Sequence, residues 1–431
     1  MATSPTVDLT TAETPGEAAT RTPSRIRMIV VLGVMVALGP LTIDMYLPAL
    51  PGIADELGVS SSVAQLTLTG TLAGLALGQL IVGPLSDSLG RRRPLMAGIV
   101  LHMLASLLCL FAPNIAVLGV ARGLQGMGAA AAMVVAIAVV GDLFTGTAAA
   151  TMMSRLMLVL GVAPILAPSL GAAVLLKASW HWVFAALVVI AGALLVVAAL
   201  ALPETLPVAH RRPLKVRGIA RTYVGLLRDL RFIVLVLVAA LGMSGLFAYI
   251  SGAPFVLQGD YGLDQQGFAL VFAAGAIALI GATQFNVVLL RRHPPQTIAL
   301  WALVVACLGG AFFVALSVTQ AGGLPGFVLP VLVVLAAMGL VLPNAPAVAL
   351  SRHNEAAGTA AALLGAAQFG VGAAVAPLVG ALGNDEFALA LVMTVGMVIA
   401  LLALLAVGVP STDRVDDASG DVIEDAVPEP A

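Results

Sequence analysis

Twelve apolar runs, each long enough to cross the roughly 30 Å hydrocarbon core of a bilayer, dictate what this chain can become. They fall at about 26–50, 63–83, 94–112, 115–141, 152–176, 182–202, 232–257, 266–290, 295–317, 326–349, 358–381 and 387–409. Backbone in lipid must satisfy its own N–H and C=O groups, so runs of this length close into helices. Composition agrees, at 60% hydrophobic and 10% charged, against about a quarter charged in soluble domains. The expectation is an all-α membrane protein of twelve transmembrane helices. Cys109 and Cys307 lie in apolar runs of different halves and read as packing residues without a disulfide.

Charge sets orientation. With the N-terminus inside, every basic residue except Lys177 and Arg122 lies in or beside a cytoplasmic segment. This asymmetry supports an even number of spans, with both termini expected in the cytoplasm. Residues 1–25 and the acidic 410–431 read as disordered cytoplasmic tails. A basic linker at 203–231 separates two six-helix bundles, 26–202 and 232–409. A faint repeat pairs "GTLAGLALGQLIVG" from Gly70 with "GAIALIGATQFNVV" from Gly275, matching Gln79 to Gln284. Parallel repeats of this kind are expected of a two-bundle transporter.

The strongest local signal is "GPLSDSLGRRRP", Gly83 to Pro94. Gly83 would allow two helices to approach, and Asp87 stands one turn before Arg91, with Gly90 and Arg92 alongside. The stretch resembles the signature loop of the major facilitator superfamily. The resemblance implies the two-bundle facilitator fold and a charge relay from Asp87 and Arg91 to an acid ending the fourth helix, which Asp142 fits. "RGLQGMGAA" from Arg122 is similar to the motif of the family's proton-coupled members. "GVAPILAPSLGAA", with Gly161, Pro164, Pro168 and Gly171, resembles the antiporter motif of exporters, although Ala163-Pro164 replaces the usual Gly-Pro. "LTIDMYLPALP", "YISGAPFVLQGDYGL" and "GLVLPNAPAVAL" resemble the bicyclomycin/chloramphenicol-resistance subfamily of drug:proton antiporters. The likeness runs from about residue 26 to 405. In the second half, "VVLLRRHPP" has lost the loop's Gly and Asp.

Asp44 is the one acid inside a span, where an uncompensated carboxylate costs about 2.5–3.5 kcal/mol. Arg122, in the fourth span, stands at a similar depth, roughly 10 Å below the outer surface at 1.5 Å per residue. In the facilitator fold the first and fourth helices both line the central cavity, so the two are expected to pair. A pair broken by protonation of Asp44 would couple substrate to H+; a permanent one would be a structural lock. One proton across 100 mV supplies about 2.3 kcal/mol, enough for roughly a 50-fold gradient of a neutral solute. Met45, Tyr46, Gln125, Tyr249, Phe255, Gln284 and Gln368 are the candidate cavity wall. His102 is either a proton relay or, by preference, a hydrogen-bonded packing residue.

No metal-ligand cluster, nucleophile–base pair or phosphate loop is legible, so neither an enzyme nor a metal or cofactor is expected, and H+ is the coupling ion. A channel would need rings of charge or an extended polar lining. The expected function is proton-coupled efflux of small, largely apolar drugs by a monomer in the bacterial plasma membrane, with no nucleic-acid partner. The alternative is export of a native metabolite such as a sugar or amino acid.

Overall fold

The computed structural model describes residues 25–211, 213–351 and 357–407; apart from Arg25, the expected terminal tails lie outside these bounds. Among the described residues, twelve helices are long and apolar enough to cross a membrane. The first six are Ile26–Glu56, Ser61–Leu89, Arg92–Leu110, Ile115–Leu143, Gly146–Leu175 and His181–Ala201. The second six are Leu230–Asp260, Gln265–Leu289, Pro295–Thr319, Gly323–Leu350, Gly358–Ala381 and Glu386–Ala406. Between the halves, a short helix at Val216–Leu226 packs near the arginine-rich end, and its Tyr223 hydroxyl donates to the Leu80 carbonyl at 3.2 Å.

Each half is a bundle. In the first, the fourth span packs along the first, second and third, and the sixth along the first and third. In the second, the tenth packs along the seventh, eighth and ninth, and the twelfth along the seventh and ninth. Small residues set the spacing: a side chain at Gly74 would overlap the carbonyl of Gly123, so the second and fourth spans meet backbone to backbone. Gly83 stands apart from this contact and faces open space. The close approach expected there falls earlier on the helix, where the axes cross. The two bundles join along the second and eleventh spans and along the fifth and eighth. Leu66, Leu77, Leu104, Val189 and Leu402 are exposed on the outside, as lipid-facing side chains are.

Two spans are broken, and the sequence explains where. The first runs as helix only to Asp44, passes through a 3-10 turn at Leu47–Ala49 and resumes at Leu50–Glu56. Pro48 has no N–H to give the Asp44 carbonyl, which leaves the hydrogen-bond ladder open at the acid where the helix breaks. The seventh breaks at Met243 and ends in a π turn, Val256–Asp260, just beyond Pro254. The stretch Gly83–Pro94, expected as a loop, is mostly helix: the second span continues to Leu89, and only Gly90 and Arg91 separate it from the third.

Candidate central cavity

A cavity of about 410 Å³ lies between the bundles. It begins beside Asp44, Tyr249 and Ile250 and extends past Met133 and Met157 to Pro346, one turn short of the arginine-rich end of the tenth span. Its wall is apolar except for Asp44, Tyr249 and Gln368. Beyond Asp44 the bundles are shut. Gln65 of the second span, fully buried, donates to the Ser251 carbonyl at 3.0 Å and to Asn384 Oδ1 at 2.6 Å, linking the bundles. The eleventh span's Gly380 packs against the same glutamine. Nothing local in the sequence marks Gln65, because its partners are 186 and 319 residues away.

Asp44 and Arg122 do not form an ion pair. Arg122 Nη1 donates instead to the Thr42 carbonyl at 2.8 Å and to Gln125 Oε1 at 2.6 Å. The depths agree, but the faces differ: residues two apart on a helix diverge by about 200°. Thr42 therefore looks into its own bundle while Asp44 looks into the cavity. Arg122 caps the broken helix, supplying a donor to one of the orphan carbonyls and a cation at the negative end of its dipole. Its guanidinium carbon lies 4.2 Å from the centre of the Tyr46 ring and 5.8 Å from that of Phe184, a stacked seat for a desolvated cation. Nε and Nη2 of Arg122, like Oδ1 of Asp44 and the Tyr249 hydroxyl, are buried with no hydrogen-bond partner.

The remaining expected wall residues divide. Tyr249, stacked on Phe272 at 5.2 Å, and Gln368 line the cavity. Tyr46 is sealed in the first bundle against Arg122 and Phe184, its hydroxyl bonded to Thr67. Gln125 is buried between Arg122 and Ser106 Oγ, to which it donates at 2.8 Å. Met45 and Phe255 are buried at the closed end, and Gln284 is exposed on the eighth span away from the wall. For Met45 and Tyr46 the reason is local: the helix stops at Asp44, so they do not continue its cavity-facing side. His102 is fully buried in the same network, its Nε2 2.8 Å from Thr42 Oγ1. Thr42 gives its hydroxyl proton to the Leu38 carbonyl at 2.6 Å, so the imidazole is the donor to Thr42. The ring does not reach the cavity.

The fifth span joins cavity to break. Gly161 and Pro164 line the wall, and Gly161 also faces Ile280 of the eighth span. Pro168 and Gly171 are buried further along, where a side chain at 171 would overlap the Met45 carbonyl.

At the arginine-rich end, Arg91 is held by Asp142 through Nε–Oδ2 at 2.8 Å and Nη2–Oδ1 at 3.1 Å, and by Asp87 at 2.5 Å. Burial alone would lower the Arg91 pKa; hydrogen bonds to Asp142 and Asp87 outweigh it, and the net shift is upward. Arg92 donates to the Ala199 carbonyl at 2.5 Å. Glu204, which belongs to no motif of the sequence, accepts the backbone N–H groups of Arg91 at 2.8 Å and Arg92 at 3.3 Å. It caps the third span with a carboxylate, a favourable charge at a helix N-terminus. Gly90, at φ +90, turns the chain there, and a side chain would strike Glu204.

Among the described residues, no cluster of His, Cys, Asp and Glu is placed to hold a metal, and both cysteines are free.

Comparison with known proteins follows the same lines. The Major Facilitator Superfamily model matches residues 32–377. An uncharacterized MFS-type transporter of Bacillus subtilis, YdgK, is 38% identical over 88% of this chain and 94% of its own. A bicyclomycin resistance protein homolog of Haemophilus influenzae is 30% identical over 87% of this chain and 94% of its own. A chloramphenicol resistance protein of Pseudomonas aeruginosa is 32% identical over 76% and 77%. Among solved structures, a peptide transporter in complex with sulfate superposes with a TM-score of 0.70 at 16% identity, covering 88% of this chain and 93% of its own. A D-xylose–proton symporter gives 0.66 at 18% identity over 89% and 96%. Both share the fold. With its twelve spans, paired bundles and Arg91 charge cluster, the chain belongs to the Major Facilitator Superfamily, as a multi-pass transporter of the bacterial cell membrane.

Proposed function

We propose that this transporter exports small, largely apolar drug-like molecules in exchange for protons by alternating access, and that Asp44 is the group that carries the proton. One observation bears most of the weight: the cavity wall holds a single carboxylate, and that carboxylate has no partner among the described residues. An apolar cavity of about 410 Å³ suits a drug-sized ligand. A sugar would need an array of hydrogen-bonding groups, and this wall offers Asp44, Tyr249 and Gln368. That disfavours the metabolite reading, and the resistance proteins among the relatives agree.

The arginine-rich end faces the cytoplasm in this scheme. A substrate entering from there meets Asp44 at the far end of the cavity and displaces its proton. Closure at the cytoplasmic end and opening at the Gln65 end then expose the carboxylate to the outside, where reprotonation releases the substrate. Arg122 acts through the helix end it caps, fixing the segment that carries Asp44, rather than as an ion-pair partner in this state.

The test is purified protein in liposomes with a trapped pH dye, challenged with chloramphenicol and similar neutral drugs. Drug-dependent proton movement in wild type that vanishes in Asp44→Asn supports the proposal. Proton movement that survives the substitution removes Asp44 from the coupling role.

A further inference from the structure

We propose that the cytoplasmic mouth of the cleft between the eighth and ninth spans is a binding site for an anionic glycerophospholipid, one acyl chain lying in the cleft and the phosphate at Arg291 and Arg292. The eighth and ninth spans are joined by a short loop, yet each packs on the tenth rather than along the other. The groove left between them has a volume of about 500 Å³. Ala336 of the tenth span lies in it, with Leu289, Ile298, Trp301 and Val333 on its walls and His293 at its mouth. From Thr297 to Val305 it runs along nine residues of the ninth span, about 12 Å at helical rise. That is nearly one leaflet of hydrocarbon, about 15 Å. Trp301 is 64% exposed on this lipid-facing wall.

Charge identifies the occupant. In the first half, Asp142 and Asp87 pair with the Arg91 guanidinium, and Glu204 caps the backbone N–H groups of Arg91 and Arg92. The counterpart loop "LLRRHPP" keeps two arginines and has lost the acid. Arg291 and Arg292 are exposed, and neither forms an ion pair with any described residue. The ninth span starts beside them at Pro295, and the residue at its N-cap, Pro294, carries no side-chain acceptor for the helix N–H groups. Two unanswered guanidinium groups and an uncapped helix N-terminus select a phosphate at headgroup depth. The apolar groove below them selects the chain attached to it, so neither a free anion nor a neutral lipid satisfies both parts.

The test uses Trp301 as reporter in bilayers of phosphatidylcholine containing a minor fraction of lipid brominated on its acyl chains. Quenching is measured in wild type and Trp301→Phe, and the difference assigns it to Trp301. Brominated phosphatidylglycerol should quench Trp301 severalfold more than the same fraction of brominated phosphatidylcholine. The doubly substituted Arg291→Gln, Arg292→Gln protein should lose this preference, by about thirtyfold in relative affinity. Residual quenching by brominated phosphatidylcholine in that variant reports that Trp301 still faces lipid and the protein is folded. Equal quenching by the two lipids in wild type, or a preference that survives loss of both arginines, would overturn the assignment.

Discussion

Gln65→Leu should open the closed end of this transporter. The substitution keeps the side chain's approximate size and removes its two donated hydrogen bonds, to the Ser251 carbonyl and Asn384 Oδ1, both of which cross between bundles. A net hydrogen bond contributes about 1 kcal/mol, and leaving the Asn384 acceptor part-buried and unsatisfied adds to the loss, so the closed state should weaken by about 2–3 kcal/mol. At 1.4 kcal/mol per tenfold, that is roughly 30- to 140-fold. A state populated at about 1% would rise to about a quarter or more. Spin labels on Lys177→Cys and Ala321→Cys would report it, in a background with Cys109→Ala and Cys307→Ala. These positions follow the fifth and ninth spans at the closed end, one in each bundle. Double electron–electron resonance should show a second, longer distance in Gln65→Leu. A distribution identical to that of the parent would refute the reasoning and assign the closure to the apolar contacts around Met45 and Gly380.

Other substitutions separate the strong contacts from the weak. Asp142→Asn breaks a bidentate pair in which both side chains are mostly buried and should destabilise the folded protein by about 3–5 kcal/mol. Asp87→Asn, at a side chain 44% exposed, should cost under about 1 kcal/mol; chemical denaturation in detergent ranks the two. Gly171→Leu forces a side chain into the Met45 carbonyl and should lower stability by about 1–3 kcal/mol, with transport lost even where folded protein is recovered. Tyr249→Phe removes a hydroxyl that has no partner, so melting temperature should hold; a fall in drug affinity would mark the hydroxyl as a substrate contact.

The spans were legible because lipid leaves a chain little choice: length and hydropathy count them. In the Asp87–Arg91–Asp142 cluster, the Asp87–Arg91 pair was legible from spacing of one helical turn, and Asp142 only through the resemblance to the facilitator loop. The Asp44–Arg122 relation was only half legible. Residue spacing gives depth, but Pro48 ends the helix at Asp44, and past that point helical spacing no longer says which way Met45 and Tyr46 face. Glu204 and Gln65 left no trace, since each gains its meaning from partners far away in sequence. Proline at position 48, four after the acid, was the available clue that Asp44 sits at a helix end whose carbonyls need an outside donor such as Arg122.

The central claim is that substrate and proton exclude each other at Asp44. The most direct measurement is proton release on drug binding to purified protein in weakly buffered detergent solution, with binding followed independently by equilibrium dialysis. The account predicts release of roughly one proton per drug molecule bound in wild type, since two ligands competing for one site are reciprocally linked. It predicts retained binding without release in Asp44→Asn. Binding without proton release in wild type, or the same release in both proteins, would contradict it.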